Sequence, residues 1–185
     1  GGAAYTESNW TPIGTQSSCS FLGVFDGDGH AVSGVYINEP TSSYQGMFGY
    51  VSNGTVKNVG VKDSYIKGMN SVGGVAGYNA GSGGKVENCY HTGSVSGKDR
   101  VGGITGYNNG TIQHCYKTGS VSGINYVGGI LGENVATTSG GKLLYCFNVG
   151  SVSGTDYLGG IVGINRAVLQ CCYNTGSVSG NNWVG

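Results

Sequence analysis

Six cysteines are the first candidates for chemistry in this 185-residue chain. Cys89, Cys115, Cys146 and Cys172 recur at intervals of 26 to 31 residues, with no C-x-x-C pair among the six. Zinc ligands cluster more closely, so the spacing speaks against a metal centre. Stacked in one column of parallel strands, they would lie about 4.8 Å apart, slightly too far for an unstrained disulfide. A ladder of buried free thiols acting as small apolar side chains is expected. Cys19 and Cys171 fall outside it.

Carboxylates come next. Asp99 and Asp156 share a column two coils apart with Asn125 between them, so their separation is about 9.6 Å, near the upper limit for an inverting glycosidase pair. No Arg or His column accompanies them, and both fall in short turns, so no enzyme activity is expected. Asp26-Gly27-Asp28-Gly29 lacks the rest of a calcium loop and reads as a turn. His30, His91 and His114 occupy different columns and read as local surface or turn residues. No cofactor and no metal site is expected.

Aromatic residues form two columns. Tyr90, Tyr116, Phe147 and Tyr173 read as structural stacking. Tyr126, Tyr157 and Trp183 lie in turns and are the candidate ligand-binding row, able to meet a glycan. Asn79, Asn108, Asn134 and Asn165 recur two residues after a repeated glycine. They are expected to form an amide ladder at a turn.

A repeat positions these residues. Anchors at Gln45-Gly46, Gly73-Gly74, Gly102-Gly103, Gly128-Gly129 and Gly159-Gly160 recur every 26 to 31 residues, a period typical of solenoids. In the copy from Val101 to Gly123 three strand-like pieces are visible: Val101–Tyr107, Thr111–Tyr116 and Gly119–Ser122. With 39 glycines and two prolines, and no apolar helical periodicity, the chain reads as all-β. Three apolar ladders should build the core: Met47/Val75/Ile104/Ile130/Ile161, Val56/Val86/Ile112/Leu143/Leu169, and Ile66/Val95/Val121/Val152/Val178. Residues 1–20 read as an N-terminal lead-in or cap, with Trp10 available to cover the first coil, and 21–185 as one β-helix domain. The chain reads as a piece of a longer protein.

Nine basic and nine acidic residues leave zero formal charge, so nucleic acid has no electrostatic footing. No apolar run reaches the length of a membrane span.

The strings VGGITGYNNGTIQHCYKTGSVSG, VGGVAGYN, LGGIVGIN, NCYHTGSVSG and CCYNTGSVSG resemble the GLUG-motif repeat of bacterial cell-surface and adhesin-like proteins. That repeat also occurs beside some immunoglobulin A-cleaving peptidases. The resemblance covers roughly residues 44–185. The repeat count and three strands per unit suit a parallel β-helix of about six three-strand coils; the resemblance implies the β-helical shape, its right hand and an extracellular setting at the bacterial cell surface. It implies no catalytic chemistry, and no zinc-binding H-E-x-x-H is present. The function expected is a non-catalytic extracellular module, an adhesin stalk or a scaffold binding a glycan or host-matrix protein. The alternatives are a filament subunit stacking coil end to coil end and a polysaccharide-acting β-helix enzyme.

Overall fold

The computed structural model describes residues 9–136 and 140–185. Residues 1–8 of the expected lead-in, and 137–139 of the linker after Asn134, lie outside the described residues.

Short runs of Val, Ile, Thr and Tyr between glycines form strands of two to five residues, and their pairing is parallel throughout. Three sheets hold six strands and two hold five. The chain is a parallel β-solenoid of about five turns, with no α-helix among the described residues and one 3-10 turn at Ser17–Cys19.

From Asn70 onward each complete coil has five strands where three were expected. In the Val101 copy they are Asp99–Gly102, Thr105–Asn108, Thr111–Gln113, Tyr116–Lys117 and Val121–Ser122. We number the sheets to which they belong four, five, one, two and three. Two backbone devices cut the longer pieces. The first is a left-handed residue between sheets one and two: Asn58, Asn88, His114, Tyr145 and Cys171 all have φ of 52° or 53°. Only surrounding structure holds non-glycine residues there, and the chain bends at each one. The second is the double glycine between sheets four and five. A Cβ on Gly103 would lie 2.2 Å from the Gly129 carbonyl oxygen, so no other residue fits that corner.

A further left-handed column, Tyr44, Ser71, Arg100, Tyr126, Tyr157 and Trp183, has φ between 52° and 60°. In sheet four Asp99 pairs with Asn125 and Val101 with Val127, while Arg100 and Tyr126 between them are unpaired in the ladder. The left-handed turn, the same in both strands, swings the Arg100 and Tyr126 side chains out of the ladder to partly exposed positions.

Core residues stack rung on rung. Val56, Val86, Ile112 and Leu143 are successive buried partners in sheet one, with Leu169 continuing the ladder at 40% exposure; Ile66, Val95, Val121 and Val152 are buried in sheet three, with Val178 partly so. Met47, Val75, Ile104 and Ile130 fill the corner between sheets four and five. Sheet four adds Val72, Val101, Val127 and Leu158. Burying each such side chain stabilises by about 1.5–3 kcal/mol. Trp10 packs against this core, and its Nε1 donates to the Met47 carbonyl at 3.1 Å.

Candidate binding surface

Most of the chemistry-bearing columns face inward. Asn79, Asn108 and Asn134 are fully buried. Each Nδ2 donates to the Oδ1 of the next rung, at 2.8, 2.9 and 2.8 Å, ending at Asn165. Asn108 also closes its own turn, accepting from Gly110 N and donating to Gly110 O at 3.1 Å. These amides are engaged in the fold and turned away from solvent.

Cys89, Cys115 and Cys146 are buried and Cys172 is half-buried, whereas Cys19 and Cys171 are exposed; all six are free thiols. The Cys115 Sγ donates to the carbonyls of Gln113 and Val86 at 3.2 and 3.6 Å, and the Cys115 amide donates to the Cys146 sulfur at 3.4 Å. Burial pushes the Cys115 thiol up, which keeps it protonated and a poor nucleophile.

One interior column was not anticipated. His91, expected at the surface or in a turn, is fully buried, as are Lys117 and Asn148. They stack in sheet two, with Val61 before them and Asn174 after. Strand alternation is the signal that finds them: with Tyr90 and Tyr116 facing out, the next residues face in. His114, by contrast, stacks on Tyr145 at 5.0 Å, and His30 is exposed.

Asp99, Asn125, Asp156 and Asn182 are successive partners in sheet four. Asn125 donates to Asp99 at 2.6 Å and Asn182 to Asp156 at 2.7 Å. Each carboxylate is tied to the amide of the following coil, so the column is an interleaved ladder. Asp26 accepts from Asn58 Nδ2 at 2.9 Å and from Asp28 N at 3.0 Å, and pairs with Lys57 at 3.0 Å. Those bonds, that from Asn58 foremost, hold its carboxyl down at about 2. It closes a turn and leaves no free ligand set. Among the described residues no group of three His, Cys, Asp or Glu is placed to hold a metal.

The outer surface carries the rings. Tyr90, Tyr116, Phe147 and Tyr173 stack at 5.0, 5.1 and 5.3 Å with planes within 7° of parallel. In the candidate row Tyr126 and Tyr157 lie 5.2 Å apart at 31°, and Tyr157 and Trp183 lie 6.0 Å apart at 3°. Because successive rings stack along the solenoid, each covers much of its neighbour's face. Solvent meets the edges of the inner rings, while Tyr173 and Trp183 are 56% and 75% exposed.

Beside this row runs a second feature that the repeats concealed. Tyr50, Tyr78 and Tyr107 stack in sheet five at 4.5 and 4.3 Å, with Tyr44 edge-on to the first two. The Tyr78 hydroxyl is raised by burial and by its bond to Tyr107. The next rung is Glu133, followed by Ile164. Glu133 is only 7% exposed and is bridged by Arg100, at 2.5 Å, and by Arg166. Arg100 also lies 5.6 Å over the Tyr107 ring. Nothing in the repeat pattern pointed to these pairs, because Arg100, Glu133 and Arg166 each break their own columns. Together the two rows make one strip along the corner of sheets four and five.

Continuous inward ladders and outward rings define a β-solenoid repeat module. Residues 69–96 match the GLUG motif, and that span is one full coil of five strands. The chain carries this repeat. It is 32% identical over 107 residues to Halomucin of Haloquadratum walsbyi (strain DSM 16790 / HBSQ001), an alignment covering 54% of this chain and 1% of that protein. Its fold resembles that of a solved structure from Bacteroides ovatus named provisionally as an immunoglobulin A1 protease. The TM-score is 0.63 at 22% identity, covering 98% of this chain and 57% of the other. The chain therefore spans a small part of Halomucin and little more than half of the solved chain; the latter likeness carries the fold alone.

Proposed function

We propose that the chain is a non-catalytic extracellular module of a bacterial surface protein: a stalk segment whose outer corner binds a glycan or host-matrix protein. One observation carries this reading. The asparagines and thiols are tied into interior ladders and the Asp99 and Asp156 carboxylates into bonds with neighbouring amides, while aromatic and charged side chains that vary between copies face outward on one strip. The likeness to a small share of Halomucin supports a place among many repeats in a long chain. We read the solenoid as right-handed, the hand that parallel strand crossovers strongly favour, and as six coils when incomplete end coils are counted.

Binding on the candidate row would use the edges and hydroxyls of Tyr126 and Tyr157 and the exposed indole of Trp183. The test is a screen of the purified chain on glycan arrays and host-matrix proteins, beside a Tyr126→Ala/Tyr157→Ala/Trp183→Ala variant. Binding that the triple variant loses supports the module as a receptor. Uniformly negative screens leave the stalk alone.

A further inference from the structure

The interior column of sheet two changes character along the solenoid. Its rungs are Val61, His91, Lys117, Asn148 and Asn174. Opposite them stand glycines: Cβ atoms on Gly74, Gly103, Gly129 and Gly160 would strike His91, Lys117, Asn148 and Asn174 in turn. The corner is thus cleared for whatever the rung holds.

Neutral rungs are well satisfied. Asn148 donates to Gly150 O at 2.8 Å and accepts from Gly150 N at 3.0 Å, and Asn174 does the same with Gly176 at 2.8 and 3.2 Å. The basic rungs are not. His91 Nε2 meets Ser64 Oγ at 2.6 Å, but its Nδ1 is buried without a partner. Lys117 Nζ donates to Gly93 O at 2.8 Å, one acceptor for an ammonium that carries three donors.

Among the described residues neither takes part in an ion pair. Val61 and Asn148 flank the pair within sheet two, and the corner opposite supplies Gly74 and Gly103. The adjoining turns supply Ser64, Gly93 and Gly119. Cys89 and Cys115 lead into the same strands as buried thiols. Among the described residues the ion pairs are Lys57 with Asp26, and Arg100 and Arg166 with Glu133, all elsewhere.

We propose that His91 and Lys117 form an acid-sensitive lock in the middle of the solenoid. Acidification charges two adjacent interior rungs, and the coil opens at Tyr90–Gly93 and Tyr116–Gly119 while the asparagine rungs stay closed. The driving force is burial of like charges about one coil spacing, 4.8 Å, apart. Burial alone pushes Lys117 down to about 7 from 10.5, and burial followed by the Lys117 charge pushes His91 well below 6.5. Both are bases with lowered folded values. Lys117 therefore weakens the coil as pH falls from 10.5 towards 7, and has no further effect below that. His91 adds its loss below 6.5.

Hydrogen exchange of the whole chain from about pH 9 to about pH 5, corrected for intrinsic rates, tests this. Protection at residues 90–93 and 116–119 should fall by up to about tenfold per pH unit, while 147–150 and 173–176 change little. In the His91→Asn/Lys117→Asn variant, which restores the asparagine–glycine closure at both rungs, the fall should vanish. A parent profile without this local pH dependence overturns the lock, as does a folded variant that keeps it. Should the variant not fold, NMR titration of the Lys117 ε-amine in the parent decides: a midpoint near 7 supports the proposal, and one at 10.5 ends it.

Discussion

Gly103 and Lys117 occupy one corner of the solenoid between them: the side chain the glycine lacks is the volume the lysine stem fills. A Cβ on Gly103 would lie 2.6 Å from the Lys117 Cγ and closer still to the Gly129 carbonyl. Backbone cannot yield there without breaking the next coil. Gly103→Ala should destabilise by about 3 kcal/mol or prevent folding, read as a loss of denaturation midpoint. Because part of the clash is with Lys117, adding Lys117→Ala should recover part of the loss. No recovery would mean that the carbonyl contact alone forbids a side chain.

The asparagine ladder makes a different prediction. Asn108 stands between two amide partners and holds both groups of Gly110. Asn108→Ala strands several buried polar groups at once, each costing about 1–3 kcal/mol when unmet. Asn165 is exposed and ends the ladder, and the Asn134 amide that donates to it keeps the Val168 carbonyl as a second acceptor, so Asn165→Ala should cost less than half as much in thermal or chemical denaturation. Equal costs would show that the ladder does not act as a connected chain.

Thiol labelling separates the six cysteines by burial. Cys19 and Cys171 should react with a maleimide in the native protein, and Cys89, Cys115 and Cys146 only after unfolding. Mass spectrometry of labelled peptides reads this directly. Native modification of Cys115 would show that the core opens far more often than its stacked rungs imply.

Glu133 and its two arginines should respond unequally to mutation. Glu133→Gln leaves guanidinium groups that are 40% and 52% exposed, so water solvates them and the loss should be about 1 kcal/mol or less. The Arg100→Ala/Arg166→Ala variant leaves a buried carboxylate alone and should cost about 3 kcal/mol. Denaturation curves compare the two, and a larger loss for Glu133→Gln would reverse the argument.

The column pattern was legible in the sequence because parallel stacking converts a repeat into ladders directly. Val56 to Leu169, Ile66 to Val178 and Asn79 to Asn165 are aligned strings that become aligned rungs. The corners were harder to see. A left-handed backbone at His114 or Tyr145 leaves no mark in residue type, since these are not glycines, and two strands were read as one. His91 is polar and so resembles a surface residue, whereas alternation with Tyr90 places it inside. Arg100, Glu133 and Arg166 escaped for the opposite reason: alignment highlights what recurs, and each of them departs from its column.

The left-handed column of Tyr44, Ser71, Arg100, Tyr126, Tyr157 and Trp183 has a further consequence. Its backbone shape is nearly the same at every turn, so what it asks of the chain does not depend on which side chain is attached. The apolar ladders of sheets one and three tolerate few choices, but from Arg100 onward this line accepts a guanidinium, a phenol or an indole on an unchanged frame. It works like a row of interchangeable type in a fixed printing block. New recognition surfaces can be composed there one coil at a time, without redesigning the solenoid that carries them.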